Sequence, residues 1–132
     1  MTRPAVVLPE KTEGTARHVV DAAVKLHTAL GPGLLESVYE KCLGIELQNS
    51  GIHCEHQVSV PIIYEGTLVE PGLRLDLIAE DCVVVELKSV QKLLPVHNAQ
   101  ILTYLKLSGM RLGLLLNFNV ALMKQGIRRI IL

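Results

Sequence analysis

Aromatic side chains are scarce in this sequence, where they make up 3% of 132 residues and include no Trp and a single Phe. Proteins that read single-stranded nucleic acids by base stacking use aromatic rings, so that mode of recognition is not expected here. Hydrophobic residues nevertheless reach 49%, an ordinary share for a globular chain. A sizeable core packed mainly by Leu, Ile and Val is therefore expected.

Paired cysteines and long apolar runs are also missing. The three cysteines, Cys42, Cys54 and Cys82, are widely spaced without a CxxC pair, which argues against a disulfide framework or a zinc ribbon and favours buried, reduced thiols. No apolar run reaches the roughly 18 to 20 residues that span a bilayer, and no secretory signal is recognisable. We therefore expect no membrane association and a cytoplasmic location.

Acidic residues are absent from residues 87–132, which contain seven basic groups. Residues 1–86 contain all 13 acidic groups and six basic ones, so the two segments carry opposite net charge although the chain as a whole is neutral. A basic segment that follows an acidic one suits a site where metal and phosphate are both bound. The alternative is that the two segments interleave in space and their fields cancel.

The length of the chain suits one domain with one core. Mixed polar residues with Pro4 and Pro9 predict a flexible N-terminal arm over residues 1–14, so the folded domain is expected to span residues 15–132. Apolar residues at helical spacing predict a first helix from Thr15 to the break at Gly31-Pro32-Gly33. A second helix is expected over residues 34–49, with a buried stripe formed by Leu35, Val38, Cys42 and Ile45.

The pattern changes to the alternation that is typical of strands after Gly51. Turn residues divide this part of the chain at Glu65-Gly66, Pro71-Gly72 and Glu80-Asp81. A third helix is expected from Pro95 to Gly109. The expected strands cover residues 58–62, 68–69, 73–78, 83–88, 112–118 and 127–132, which indicates an α/β fold.

Three charged residues, Asp76, Glu86 and Lys88, stand out on strands that are otherwise apolar. Side chains two apart in a strand share a face, so Glu86 and Lys88 point the same way and Leu87 points the opposite way. With ordinary hairpin pairing, Asp76 can approach the same end of that face. Burying charge is costly unless the charge is paired or bound to a metal, and such a departure from apolar patterning is expected at a functional site.

These residue types suit a divalent-metal site. Asp76 and Glu86 offer hard oxygen ligands to Mg²⁺ or Mn²⁺, and the carbonyl of Leu87 offers a further one. The metal lowers the pKa of a bound water and offsets charge on a phosphoryl oxygen, while Lys88 can orient that water or stabilise the transition state. From these residues alone, the alternative is a structural salt bridge between Glu86 and Lys88, or exposure of both on an edge strand.

Two segments of the chain resemble the D…ExK motif of PD-(D/E)XK nucleases: Leu73-Arg74-Leu75-Asp76-Leu77 and Val85-Glu86-Leu87-Lys88. In addition, residues 33–39 match the GxxExxY pattern of a widespread bacterial family that bears this name, and residues 100–104 fit the helical QxxxY motif of some nucleases of the superfamily. The proline that precedes the acidic residue in the family motif is replaced by Leu75. The resemblance covers roughly residues 15–132 and implies a PD-(D/E)XK nuclease-like core, with a mixed central sheet flanked by helices.

The resemblance also implies roles for single residues. Asp76 and Glu86 would be the metal ligands, and Lys88 would be the catalytic lysine. Glu36 would be the acidic group that completes the pocket, whereas without the resemblance it is equally a first-turn glutamate that complements the helix dipole. Gln100 and Tyr104, neighbours on one helix face, would line the site, although an ordinary polar pair would show the same spacing.

A metal-dependent nuclease acting on nucleic acid, with DNA as the expected polymer, is the leading interpretation. The expected phosphate contacts are Lys92, Lys106, Lys124, Arg128 and Arg129. The alternative is a non-catalytic nucleic-acid-binding or assembly module that keeps the nuclease fold. A chain of this size has little room for a separate DNA-binding domain, so a homodimer or a protein partner is a further expectation.

Overall fold

A computed structural model describes residues 7–132 of the chain. These residues form three α-helices, five strands and one 3₁₀ turn, and no helix among them is long and apolar enough to cross a membrane. The helices are α1 (Glu10–Leu30), α2 (Glu36–Asn49) and α3 (Pro95–Ser108). The strands are β1 (Cys54–Tyr64), β2 (Thr67–Ala79), β3 (Val83–Lys88), β4 (Leu112–Asn117) and β5 (Ile127–Ile131), with the 3₁₀ turn over Met123–Gly126.

The five strands form one mixed sheet in the order β1-β2-β3-β4-β5. Three of the four strand pairs are antiparallel, and β3 and β4 pair in parallel, with α3 as the crossover between them. The α/β fold with a mixed sheet flanked by helices is thereby confirmed. The crossover matters for the site because it brings α3 back over the sheet next to the end of β3.

The helices cover the two faces of the sheet unequally. One face packs under α1 and α2, and its buried sheet residues include Val83, Val85 and Leu87. The other face packs under α3, where Val84 and Leu105 belong to a smaller apolar cluster. Successive residues of β3 therefore alternate between a large core and a small one, as side-chain alternation requires.

The first helix begins five residues earlier than expected. It starts at Glu10 directly after Pro9, and Glu10 and Glu13 complement the positive end of the helix in its first turn. The expected arm over residues 1–14 is therefore wrong for residues 10–14, which are helical, while its residues 1–6 lie outside the described part. Proline does not prevent a helix at this position because the first turn needs no amide donor there.

The buried stripe of α2 differs from the expected one by a rotation of the helix. Tyr39, Leu43 and Leu47 are fully buried, whereas Ile45 is 57% exposed and Leu35, just before the helix, is 74% exposed. Apolar residues occupy two neighbouring stripes of this helix, so its periodicity alone does not select one of them. Tyr39 selects the inner stripe because its ring stacks on Phe118, with centroids 4.4 Å apart.

The expected turn at Pro71-Gly72 is wrong, because β2 runs through both residues. A β-carbon at Gly72 would collide with the carbonyl oxygen of Val60, so glycine here allows the backbone of β1 to approach closely. The register of β1 against β2 shifts between Val60 and Ile62, opposite this position. The dipeptide therefore marks a bulge in a long hairpin, which is a second use of glycine in strands.

Candidate active site

The pairing of β2 with β3 ends at the two acidic residues. Leu77 pairs with Val85, but at the next positions, Asp76 and Glu86, main-chain pairing is replaced by hydrogen bonds from main-chain amides to the two carboxylates. The amide of Asp76 donates to Oε1 of Glu86 at 3.0 Å, and the amide of Leu87 donates to Oδ2 of Asp76 at 3.0 Å. The carboxylates thus take the place of main-chain acceptors, and these bonds fix their orientation side by side.

Glu86 is buried, with 5% of its surface exposed, and its carboxyl group is strongly perturbed. Loss of hydration on burial and the neighbouring charge of Asp76 raise the pKa of Glu86 from 4.5 to about 8. Lys88 acts in the opposite direction but does not cancel these effects. A carboxyl group of this kind gains when a cation binds beside it, because the cation offsets both the lost hydration and the like charge.

Lys88 lies at the end of β3, on the same face as Glu86. Within residues 7–132 it forms no ion pair, so the structural Glu86–Lys88 salt bridge is not formed there. The Lys88 side chain instead lines an open groove of about 480 Å³ beneath the start of α3, together with His97, Gln100 and Thr103. Its ammonium group is therefore available to a bound ligand.

Tyr104 and Gln100 approach the acidic pair from α3. Burial and the charges of Glu86 and Asp76 raise the pKa of the Tyr104 phenol, an effect that contact with Gln100 partly offsets. The phenol consequently keeps its proton at neutral pH and can act as a hydrogen-bond donor. Gln100 is exposed and lies in the groove beside Lys88. Tyr104 is therefore close enough to the acidic pair to respond to its charge, and Gln100 lies beside Lys88, while a role for both in lining the site stays a prediction.

Glu36 reaches the site indirectly. Its Oε1 accepts a hydrogen bond of 3.2 Å from the amide of Ser89, the residue that follows Lys88, and Ser89 Oγ donates to the carbonyl of Leu34. The start of α2 is itself fixed by Tyr39, whose hydroxyl donates to the carbonyl of Gly31 at 2.6 Å. In this arrangement Glu36 supports the backbone next to the lysine, and Tyr39 supports Glu36.

The oxygen donors beside Lys88 are of the kind that bind a divalent metal. Among residues 7–132, no cluster of three or more His, Cys, Asp or Glu side chains could hold an ion. Two adjacent carboxylates, Asp76 and Glu86, are present, and the carbonyl of Leu87 belongs to the same stretch of β3. Magnesium is commonly bound by one or two carboxylates and completes its shell with water and phosphate oxygens, so these residues fit Mg²⁺ or Mn²⁺.

A sequence model of the PD-(D/E)XK nuclease superfamily matches residues 13–130, nearly the whole chain. The chain belongs to this superfamily. No curated protein and no solved structure gives a significant match. As the name of the superfamily implies, membership points to a nuclease that acts on nucleic acid, and the Asp76–Glu86–Lys88 arrangement lies within the matched residues.

The expected phosphate contacts of this PD-(D/E)XK protein do not all lie together. Lys92 is exposed in the loop between β3 and α3, and Lys106 is exposed on α3. Arg128 lies two residues before Ile130 on β5 and shares its face of the sheet, the face that packs on the α3 side. Arg129 instead forms an ion pair with Glu13 of α1, and Lys124 lines a cavity beside α1 with Val24 and His27.

Asn117 is a site-supporting residue that the sequence did not single out. It is 2% exposed and lies beside Lys88 in the parallel β3–β4 pair. Its side chain accepts from the amide of Val90 at 3.1 Å and donates to the carbonyl of Val90 at 3.0 Å. A polar residue at the end of a run as apolar as β4 is the signal that could have identified it, since buried amides need partners.

Proposed function

We propose that the chain is a divalent-metal-dependent nuclease that hydrolyses phosphodiester bonds of nucleic acid, with DNA as the proposed polymer. One observation carries the proposal: the Glu86 carboxylate accepts from the amide of Asp76 and the Asp76 carboxylate accepts from the amide of Leu87, at the point where the β2–β3 pairing ends. Lys88 lies beside them and forms no ion pair within residues 7–132. An ion pair used only for stability would bring Lys88 onto a carboxylate. Here the lysine faces an open groove instead.

Each residue of the site has a proposed role that follows from its position. Asp76, Glu86 and the Leu87 carbonyl would hold Mg²⁺ or Mn²⁺, which when bound would supply positive charge beside the scissile phosphate. Lys88 donates hydrogen bonds to a phosphoryl oxygen and stabilises the charge that develops on it. Tyr104 keeps its proton and donates a hydrogen bond to the substrate from α3. Gln100 orients the substrate in the groove beside Lys88. Glu36 positions the segment after Lys88 through Ser89.

Nucleic acid would approach over α3. Lys92, Lys106 and Arg128 belong to this side, and none of them forms an ion pair within the described residues. Each phosphate contact that is lost should lower the slope of log affinity against log salt by about one unit. Arg129 and Lys124 lie toward α1, so we propose only a smaller contribution from them.

We further propose that the chain belongs to the GxxExxY group within the superfamily. Each fixed position of that pattern has its own contact or backbone conformation in the structure. Tyr39 anchors the turn between α1 and α2 through Gly31, and Glu36 binds the amide of Ser89. Gly33 has φ 95°, a conformation that favours glycine, in the segment between them. The motif thereby sets the distance between α2 and the end of β3.

The proposal is tested by incubating the purified chain with mixed DNA and RNA substrates and Mn²⁺. We expect cleavage that chelation abolishes. Lys88→Ala should reduce the rate by about two orders of magnitude or more while leaving Mn²⁺ binding measurable by calorimetry, because the lysine acts on the phosphate rather than on the metal.

A matched control is Lys11→Ala, which removes an exposed lysine of α1 far along the sequence from the site. This variant should cleave at the parental rate. Cleavage that survives Lys88→Ala unchanged would identify a contaminant and contradict the proposal. Absence of Mn²⁺ binding at millimolar concentration, in parent and variants alike, would also overturn it.

A further inference from the structure

A second group of reactive side chains lies on the opposite side of the sheet from the acidic pair. Sγ of Cys54 is 3.6 Å from Nε2 of His56, and Nδ1 of the same imidazole is 3.2 Å from Oε2 of Glu40. Cys54 and His56 are two apart on β1, and Cys54 packs on the core under α1 and α2. The three groups therefore form a chain from thiol to imidazole to carboxylate.

The contact with Glu40 favours one tautomer of a neutral His56 imidazole. An ionised carboxylate only accepts, so Nδ1 donates to Glu40 and the neutral imidazole presents the lone pair of Nε2 to the thiol. Gln57 donates from its side-chain amide to the other oxygen of Glu40, which fixes the carboxylate. In this tautomer the Cys54 thiol donates toward Nε2 of His56, and the hydrogen bond from Nδ1 to Glu40 orients the imidazole.

Gly44 makes room for this arrangement. A β-carbon at Gly44 would lie 2.6 Å from both Cε1 and Nε2 of His56, so the imidazole rests directly on the backbone of α2. Glu40 and Gly44 are four apart and share that face of the helix. The position of the His56 ring is thus determined by its hydrogen bond to the Glu40 carboxylate and by the space that Gly44 leaves next to α2.

The cluster opens into a cavity of about 670 Å³ between α2 and the start of β1. Its walls combine the apolar side chains of Ile45 and Ile52 with polar groups that include Lys41 and His53. The His56 side chain is 36% exposed and Cys54 is partly exposed, so a small molecule can reach both. A cavity of this size is within the range of small-molecule sites.

We propose that Cys54 is a base-assisted nucleophilic thiol that forms a mixed disulfide with a low-molecular-weight disulfide bound in this cavity. The pair of groups that carries the proposal is the thiol and Nε2 of His56. A metal site is not supported, because no three ligating side chains within residues 7–132 converge on one point. Burial raises the pKa of the Cys54 thiol, so the resting sulfur keeps its proton and depends on a base for its reactivity.

The reaction is a thiol–disulfide exchange. His56 Nε2 takes the proton of Cys54, and the thiolate attacks one sulfur of the disulfide R–S–S–R. The bond between the two R–S sulfurs breaks as the bond between Sγ and one of them forms. The leaving thiolate receives the proton from His56 and departs as RSH. The sulfur of Cys54 is oxidised by the same amount as the departing sulfur is reduced, so no further oxidant is needed.

The three cysteines of the chain allow an internal comparison. The folded, metal-free protein would be treated with oxidised glutathione and, separately, with iodoacetamide, and the rate at each cysteine would be measured by peptide mass spectrometry. Cys42 and Cys82 serve as references; the Cys82 thiol donates to the carbonyl of Ala79 and not to a base. We expect Cys54 to react roughly tenfold faster than either, since base assistance contributes about 10²-fold or more and burial offsets part of it.

His56→Gln and Glu40→Gln test the two partners. His56→Gln removes the base at similar side-chain size and should slow Cys54 by about tenfold or more. Glu40 is a positioning residue, and its replacement should slow Cys54 by a smaller factor. Partial unfolding would speed up all three cysteines, whereas loss of the base slows Cys54 alone, so the ratio of Cys54 to Cys82 separates the two causes.

His18→Gln is the matched control, since His18 is an exposed histidine of α1 that does not line this cavity. It should leave the rate at Cys54 unchanged. Equal rates at the three cysteines of the parent protein would overturn the proposal, and so would a His56→Gln variant that reacts as fast as the parent. The measurement requires neither nucleic acid nor metal, so it is independent of the nuclease assignment.

Discussion

The two faces of the sheet differ most along β3, where successive side chains point in opposite directions. Toward α1 and α2, the residues Val83, Val85 and Leu87 are at most 1% exposed and contact only the large apolar core. Toward α3, Val84 is followed by Glu86 and Lys88, and the smaller cluster ends at Tyr104. One strand thus contributes to stability on one face and carries ionisable groups on the other.

The difference between the two faces shows where this small domain can bury carboxylates. The acidic pair begins where the backbone pairing of β2 with β3 stops, so its carboxylates find amide donors that a continuous ladder would have used. The large core on the other face continues past this point and keeps the strand in place. Substitutions on the two faces should therefore have separable effects, on activity for one and on stability for the other.

The largest expected effect is that of Glu86→Gln on cleavage. The variant keeps the shape of the side chain and loses its charge, so we expect the cleavage rate with Mn²⁺ to fall by about a thousandfold. The free energy of unfolding of the metal-free protein at neutral pH should stay the same or rise, because an isolated carboxylate is costly to bury. Glu70→Gln, on an exposed part of β2, is the control and should change neither quantity.

Leu87→Ala should show the opposite pattern. Leu87 is 1% exposed, and its truncation leaves a cavity in the large core, with an expected loss of about 2–5 kcal/mol in urea unfolding. Its carbonyl remains, so cleavage measured well below the melting temperature should stay within a few-fold of the parent. Ile63→Ala, at a position 72% exposed, should cost much less. Folded but inactive Leu87→Ala would show that the two faces are not separable.

The raised pKa of Glu86 predicts a pH dependence of stability without metal. Because the folded-state pKa is about 8 and the ordinary value is 4.5, the folded state holds the proton more tightly than the unfolded state. The contribution of Glu86 to stability is complete below about pH 4.5 and is lost as the pH rises through 8, by on the order of 3 kcal/mol. Other groups also titrate, so the relevant quantity is the difference between the parent and Glu86→Gln.

Thermal melts at pH 5 and pH 8 in the presence of a chelator measure this difference. The melting temperature of the parent should fall more than that of Glu86→Gln, and added Mn²⁺ should restore part of the loss at pH 8. Parallel pH profiles for the two proteins would mean that the carboxyl group is ionised throughout this range. The environment of Glu86 would then be far more polar than its burial indicates.

The sequence predicted what depends on neighbours along the chain. The β-branched run before Glu86 predicted β3, and side-chain alternation predicted that Glu86 and Lys88 share a face. The approach of Asp76 followed from the short turn at Glu80-Asp81. These features lie within one hairpin, so the pattern of apolar residues and the turn together determine them.

Features that depend on distant contacts were beyond the sequence pattern. The rotation of α2 is determined by the stacking of Tyr39 on Phe118, a residue that follows β4 and is far from α2 along the chain. The contact of Glu36 with Ser89 joins segments 53 residues apart. The approach of Glu40 to His56 likewise joins α2 to β1, so the histidine carried no distinguishing signal in its own segment. Local periodicity contains no information about such pairs.

The smallest expected effect concerns Glu36 and decides how it acts. Its Oε1 accepts a hydrogen bond from the Ser89 amide, and the amide oxygen of a glutamine can accept the same bond. If Glu36 acts by holding the segment after Lys88, Glu36→Gln should lose no more than about threefold in the cleavage rate, and Glu36→Ala about tenfold. Ser37→Ala, at the next exposed position of α2, is the control and should be neutral.

The resemblance to other nucleases implied a different role, in which the charge of Glu36 completes the metal pocket. That role requires Glu36→Gln to be as damaging as Glu36→Ala, and it requires both variants to need more Mn²⁺ for half-maximal cleavage. A positioning role through Ser89 leaves this Mn²⁺ concentration unchanged in the glutamine variant, since the carboxylates of Asp76 and Glu86 keep their own amide donors. Titrating Mn²⁺ against the initial rate of the two variants therefore distinguishes a hydrogen bond to the backbone from a charge that acts on the metal.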